Sequence, residues 1–511
     1  MSEKISAITI GPIYDTMQLV TKPAGLWGAS YLFSYIAEKL TDRIKTGQII
    51  TPKFDFDENE EALRFHKKGI GFYHDHILIR DGDLGEITDA IKKTKKEIGY
   101  EIFCDIQRKV QDVNEQDVVD YVEQYLQIFA VETEQEEGKN AIEATGVLLD
   151  AIELEKSFVN EEARNYIALF LENDIICDSF LQRNLDQWML KRNNGLMSLE
   201  KIALSDTSSD MPREERLKRY SYYAMVSSDG DRMGKIIENL KTDDDIRDFS
   251  NDCMEYTTAA CRHILDFDGL IVYAGGDDLQ FMAPLTHGTE EGEKTVFDLL
   301  DEIIKEFNTV FRGDKYAKLM EKPTVSFGVA ITYVKYPLYE TLGQSYGLLH
   351  TAKDKGRDRA MIRLQKHSGQ TAEVCIKGLQ ENYSKMNSLM KPLLKYQMDA
   401  EALHSVIMHL SESRAACEIA LEKADDTILR NYLNNNFDNP GQVQWEDYLD
   451  KLESFMKYTS VFLDEEKHEE NETEEQYAVR SKTGSLILML RIIHMFGEKG
   501  KEEFDEQDIE D

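Results

Sequence analysis

Two short apolar runs, Leu270-Ile271-Val272-Tyr273-Ala274 and Leu279-Gln280-Phe281-Met282, bracket the four residues Gly275-Gly276-Asp277-Asp278. Runs this short, rich in β-branched and aromatic residues and broken by glycine, predict a β-hairpin with two adjacent carboxylates at its tip. Upstream, Tyr222-Tyr223-Ala224-Met225-Val226 leads through Ser227-Ser228-Asp229-Gly230-Asp231 into Met233-Gly234-Lys235-Ile236-Ile237, which reads as strand, acidic turn, helix. Downstream, Pro323 to Ile331 reads as a buried strand, and Leu338, Leu342, Tyr346 and Leu349 share one face of a helix spanning Pro337 to Lys355 that stops at Gly356. Ile77-Leu78-Ile79 is strand-like. Between residues 105 and 205 apolar pairs recur at Val118-Val119, Tyr121-Val122, Tyr125-Leu126, Phe170-Leu171 and Ile175-Ile176 with few turn residues, a helical pattern. From about residue 372 helices return, through Leu389-Met390, Leu393-Leu394 and the run Leu486 to Ile493.

The hairpin carries the first candidate chemistry. Gly275 and Gly276 allow the positive φ of a tight turn and keep bulk away from a triphosphate, while Asp277 and Asp278 on rigid flanks can grip Mg²⁺ or Mn²⁺. A two-metal phosphoryl-transfer site draws one carboxylate from the end of a first strand and others from a neighbouring hairpin, with the ions about 3.5–4 Å apart. Asp229, 48 residues before Asp277, suits that first-strand role; the other reading is that Asp229 and Asp231 cap the helix that follows. Lys353, Lys355, Arg357 and Arg359 surround the end of the last helix. They read either as complements of its dipole or as a clamp in which Lys353 and Arg357 reach the β- and γ-phosphates of a nucleotide.

The succession Asp229-Gly230-Asp231, Tyr273-Ala274-Gly275-Gly276-Asp277-Asp278, Ser326-Phe327-Gly328-Val329, Lys335-Tyr336-Pro337-Leu338 and Ala352-Lys353-Asp354-Lys355-Gly356-Arg357 resembles the palm polymerase/cyclase domain of the large signature subunit of type III CRISPR effector complexes, particularly the Cmr branch. Ile10-Gly11-Pro12-Ile13, Lys22 and the stretch Leu26-Trp27-Gly28-Ala29-Ser30-Tyr31-Leu32 are similar to that branch's opening palm-like domain. The resemblance implies an α+β fold in four parts: a first palm-like domain over 1–105, a helical insertion over 106–210, the catalytic palm over 211–370 and a C-terminal helical domain over 371–511. Each palm is expected to be a ferredoxin-like β-α-β-β-α-β sandwich. It also implies a nucleotidyltransferase, activated by target RNA, that makes cyclic oligoadenylate from ATP. Asp229, Asp277 and Asp278 would hold two Mg²⁺ or Mn²⁺ ions, Lys353 and Arg357 the triphosphate, and Gly275, Gly276, Asp75 and Ser30 would contact nucleotide. Asp75 alternatively ends a strand. The implied partners are the other subunits of the ribonucleoprotein complex and, mainly through them, guide and target RNA.

Members of the Cmr branch without an HD-type nuclease domain include enzymes that couple AMP to S-adenosylmethionine, so that co-substrate stands as an alternative. A diguanylate cyclase is a second alternative, although its Glu-Phe after the first carboxylate is absent; a non-catalytic scaffold is a third. With the Gly-Pro element at residue 11, no HD domain is expected ahead of it, and Tyr73-His74-Asp75-His76 lies in a strand-like stretch rather than on the helices such a nuclease needs.

The formal charge of −36 excludes a free-standing nucleic-acid binder, because phosphate contacts dominate such affinity, and leaves RNA contact to partners or a local basic patch. The six cysteines, Cys104, Cys177, Cys253, Cys261, Cys375 and Cys417, form no C-x-x-C pair, so no zinc site is expected and a reducing cytoplasm suits them. No membrane association is expected, since no apolar run is long enough to span a bilayer and no signal sequence opens the chain. Acidic runs at Glu132 to Glu137 and Asp464 to Glu475, and the tail from Lys501, read as solvated surface.

Overall fold

Two sheets with the same internal strand order carry the architecture. In a computed structural model, the described residues are 4–497 except 53, 55–58, 136–137, 155–163, 173–174, 176–190, 193–194, 197, 205–220, 290–291, 317–318, 320, 378, 395–399, 424, 437–442 and 463–480. Ile176, Cys177, the end of the acidic run at Glu136-Glu137, the run from Asp464 and the tail from Lys501 lie outside them.

The first sheet is built from β1 (Lys4–Gly11), β2 (Gln48–Thr51), β3 (His76–Arg80) and β4 (Gln127–Glu134) in the order β2-β3-β1-β4. Helices α1 (Pro23–Arg43) and α2 (Leu84–Ile106) make the two crossovers, and α3 (Ala141–Glu153) follows β4. The second sheet contains β5 (Tyr222–Asp231), β6 (Leu270–Gly275), β7 (Asp278–Pro284), β8 (Thr324–Tyr333), β9 (Arg359–Gln365) and β10 (Thr371–Lys377) in the order β10-β9-β8-β5-β7-β6. Its crossovers are α4 (Asp243–Asp266) and α5 (Val296–Phe311), and α6 (Leu338–Asp354) links β8 to β9. Taken within each domain, the strands run fourth-first-third-second in both sheets. That is the ferredoxin-like sandwich expected of two palms, with β9 and β10 added on the β8 side of the second.

The structure departs from the helical reading of residues 105–205 at the short antiparallel pair Lys191–Arg192 with Gly195–Leu196 and, more consequentially, at one longer strand. Gln127–Glu134 pairs antiparallel with β1 along its whole length, Ile8 opposite Ala130 and Ile10 opposite Ile128, and so belongs to the first sheet. Only Ile128 of this edge strand is fully buried, which left little alternation to read. Residues 371–377, read as the start of the helical C-terminal region, form β10 against β9, and the helices begin at Leu379–Leu394.

Helix α6 lies close on the second sheet because the strands beneath it present small side chains. A Cβ on Gly328 of β8 would collide with the backbone of Ser345 and Leu349, and Ser227 of β5 meets Ser345 hydroxyl to hydroxyl at 2.9 Å. Trp27, 2% exposed, donates from Nε1 to the Gly69 carbonyl at 2.8 Å and stacks on Tyr31, anchoring α1 in the first palm's core. Across the two palms, α4 docks on the first domain: Arg80 Nε and Nη2 donate to Asp243 at 2.9 and 2.6 Å, and Thr51 Oγ1 donates to Ser250 at 3.2 Å. No described helix is long and apolar enough to cross a membrane.

Candidate active site between the palms

The expected hairpin forms: Gly275 pairs with Asp278 across a two-residue turn. Gly276, at φ +65°, occupies the first turn position, where a side chain would be strained. Gly275 is required for a different reason, since a Cβ there would strike the Tyr273 hydroxyl at 2.5 Å. β5 runs between β7 and β8, so its end brings Asp229 beside the hairpin. Asp229, Asp277 and Asp278 each place a carboxylate oxygen within 4.8 Å of the others, and among the described residues this is the one group of three His, Cys, Asp or Glu side chains so arranged.

Local packing orients these carboxylates. The backbone N–H groups of Gly230 and of Asp277 itself donate to the Asp277 carboxylate. A Cβ on Gly230 would overlap Asp277 Oδ2 and lie 2.7 Å from Met233 Cγ. Burial raises Asp277 to about 6, with the nearby Asp231 charge adding to the shift. Burial likewise raises Asp278 well above the usual carboxylate range, helped by Asp277 and Asp75. Asp278 Oδ1 is buried with no hydrogen-bond partner. Shielded carboxylates of like charge, one with an orphaned oxygen, suit hard divalent cations, which take oxygen ligands and offset the repulsion.

Lys353, in the last turn of α6, forms an ion pair with Asp229. Burial and the neighbouring Arg357 lower the Lys353 ammonium to about 8, while its carboxylate partner acts in the opposite sense. Arg357 is exposed, at φ +66°, on the loop after α6.

A cavity of about 370 Å³ opens between the palms, lined by His74 and Asp75 of the first and Tyr273, Gly276, Asp277 and Asp278 of the second. Gly275 lines it too. Thus Asp75 reaches the same space as the hairpin. Its neighbour His74 is lowered to about 4 by burial, and its Nε2 lies 3.1 Å from Thr51 Oγ1. Ser30 is 4% exposed in α1 and does not line this cavity. Lys353 and Arg357 also lie outside the cavity lining, and Lys353 approaches the acidic group through Asp229.

The capping alternative fails for both aspartates: the helix Met233–Ile237 starts at Arg232 without a side-chain cap. The sequence reading did not single out Gly230, Tyr273 or the α3 wall of the cavity at Thr145 and Leu149. Gly230 sits inside the Asp-Gly-Asp string, so its position was visible there; α3 carried no comparable signal.

Residues 222–361 match the family model described as Cas10/Cmr2, second palm domain. The CRISPR system Cmr subunit Cmr2 of Pyrococcus furiosus is 29% identical over 175 residues, covering 29% of this chain and 19% of that protein, well under two thirds of its length. Among solved structures, the Csm1-Csm4 cassette in complex with pppApA aligns with a TM-score of 0.54 and 12% identity over 97% of this chain and 70% of that chain. The cassette with cA4 gives 0.53 at 12% identity over the same shares, 97% and 70%. At that identity the structural likeness speaks for the fold, whereas the family match locates the acidic hairpin and the Asp229 strand in a named domain. Residues 222–361 are thus similar to a second palm domain of the Cas10/Cmr2 kind, and part of the chain is similar to the Cmr2 subunit of a CRISPR system.

Proposed function

We propose that this chain is the large subunit of a type III CRISPR effector complex and that its second palm joins ATP molecules into an oligoadenylate second messenger. The observation that carries the reading is the Asp229, Asp277 and Asp278 group, with an orphaned Asp278 oxygen, beside a cavity shared by two palms. The solved cassettes of the same fold hold pppApA, cA4 and, in another, one ATP, which supports a nucleotide as occupant.

In the reaction a ribose hydroxyl oxygen of one ATP attacks the α-phosphorus of another. The new P–O bond forms as the bond to the β-phosphate oxygen breaks, pyrophosphate leaves, and the hydroxyl proton passes to solvent. Two Mg²⁺ or Mn²⁺ ions held by Asp229, Asp277 and Asp278 supply activation of the hydroxyl and neutralisation of charge on the leaving group. Gly275 and Gly276 leave space for the phosphates at the hairpin, and Lys353 and Arg357 bind the β- and γ-phosphates. Asp75 of the first palm faces the partner nucleotide across the cavity. No protein nucleophile takes part; alignment of the two nucleotides supplies much of the rate.

With a formal charge of −36 the chain repels RNA, so target RNA acts through the other subunits, which shift the palms toward the competent arrangement. The test is mass spectrometry of products made from ATP, with and without S-adenosylmethionine, by the chain alone and by the RNA-loaded complex. Oligoadenylate from the loaded complex, abolished by Asp277→Asn with Asp278→Asn while assembly persists, is the expected result. Product at the wild-type rate from that double variant overturns the assignment.

A further inference from the structure

Asp231 ends the same strand as Asp229 and has a different environment. It is 1% exposed, and its carboxylate is saturated by donors from two separate segments. Thr324 Oγ1 donates to Oδ2 at 2.7 Å, and Ser326 Oγ lies 2.8 Å from Oδ2 and 3.0 Å from Oδ1. Both hydroxyls come from β8, where Thr324 stands opposite Asp231 and Ser326 opposite Asp229. The remaining donor is the backbone N–H of Asp358, at 2.9 Å from Oδ2. That N–H belongs to the loop carrying Arg357, directly after the helix carrying Lys353.

This loop needs a restraint. Arg357 and Asp358 both have positive φ, +66° and +54°, in the left-handed region that non-glycine residues enter rarely. The Asp231 carboxylate holds the second of them, while buried Arg359 donates from Nε to the Arg357 carbonyl at 3.0 Å and holds the first. Asp231 therefore links the strand end that presents Asp229 with the loop that presents Arg357.

We propose that Asp231 is a positioning residue that registers the phosphate-binding loop against the metal-binding strand. The proposal rests on the ATP-binding reading above. The Asp231 carboxylate is taken up by Thr324, Ser326 and the Asp358 N–H, and it acts on the clamp through that N–H: with the bond in place, the Arg357 guanidinium and Lys353 ammonium stand at a fixed offset from Asp229, while its charge near Asp277 is the part that Asp231→Asn removes. Without that bond the loop relaxes out of the left-handed region and the clamp loses its register, while the carboxylates of the hairpin keep their own supports.

The test compares ATP and Mn²⁺ affinities of the full-length chain, by calorimetry and by electron paramagnetic resonance, for wild type, Asp231→Ala, Asp231→Asn and Ser326→Ala. Asp231→Ala is expected to weaken ATP by about 10- to 100-fold, the scale of an ångström-level misplacement, with Mn²⁺ affinity within about threefold of wild type. Asp231→Asn keeps an acceptor oxygen for the Asp358 N–H and should restore most of the ATP affinity. Should Asp231→Ala not fold, Ser326→Ala, which removes one hydroxyl donor to the carboxylate, is expected to show the same split in smaller measure. Wild-type ATP affinity in Asp231→Ala overturns the proposal, as does a parallel loss of ATP, Mn²⁺ and thermal stability, which marks a merely structural role. If the wild-type chain itself binds Mn²⁺ but no ATP, the parent reading falls and this one with it.

Discussion

Gly230→Ala separates the catalytic role of the acidic group from its contribution to the fold. Gly230 is buried between the two aspartates of β5 and is absent from the positive-φ positions, so alanine suits its backbone. The added methyl meets two groups: it lies 2.7 Å from Met233 Cγ and closer still to Asp277 Oδ2. Asp277 is the free end of a short side chain at a hairpin turn and can swing aside, and Met is adaptable. The stability cost should therefore fall near the low end of the roughly 1–3 kcal/mol typical of overpacking. Function should suffer far more. Restoring van der Waals separation moves the carboxylate by about 1 Å and pulls it from the Gly230 N–H, and a displacement of that size costs on the order of 100-fold in rate. The assay pairs product formation by the RNA-loaded complex with Mn²⁺ affinity and a denaturation curve of the chain. A variant that loses no more than about 1–2 kcal/mol of stability yet makes about 1% of the product is the expected outcome. Wild-type product and wild-type Mn²⁺ affinity in Gly230→Ala would refute the idea that Asp277 must occupy its present position.

Lys353→Ala removes a charged group from the side of Asp229 and should weaken ATP by the roughly 1.5–3 kcal/mol of a charge-assisted hydrogen bond, whereas Lys366→Ala, past the end of β9, should leave calorimetric ATP binding unchanged; equal losses at both would indicate a diffuse field. His263 Nε2 meets Glu306 at 2.8 Å and its Nδ1 meets Glu302 at 3.4 Å, contacts that raise its pKa, while hydrogen bonding from His263 lowers Glu302 to about 2. The raised histidine stabilises the fold fully below its unfolded pKa of about 6.5 and loses that contribution as pH rises through the folded value; Glu302 contributes above its unfolded value of about 4.5 and loses it as pH falls toward 2. Urea denaturation should thus show a larger cost for His263→Ala at pH 5.5 than at pH 8.5, and an equal cost at both would remove the ion-pair account.

Local chemistry made part of this molecule legible from its sequence. The glycine pair between two β-rich runs can hardly do other than turn, and the apolar spacing from Leu338 to Leu349 marks a helix face, so β6, β7 and α6 followed from nearest-neighbour sterics and periodicity. The Asp229 strand and the acidic hairpin were likewise readable as partners, because the motif order matched that of a palm. The edge strand Gln127–Glu134 escaped because only one of its residues is deeply buried, and burial on one face is what writes alternation into a strand. Ser30, singled out beside Trp27, lies in the core of α1 rather than in the cavity, while Asp75 reaches it through the chain path between β2 and β3. Most telling are Asp229 and Asp231, two residues apart on one strand and alike in chemistry. The register that sets Thr324 and Ser326 against this strand end saturates one carboxylate and leaves the other beside the hairpin carboxylates, and that pairing, across about a hundred residues of chain, exists only once the sheet has formed.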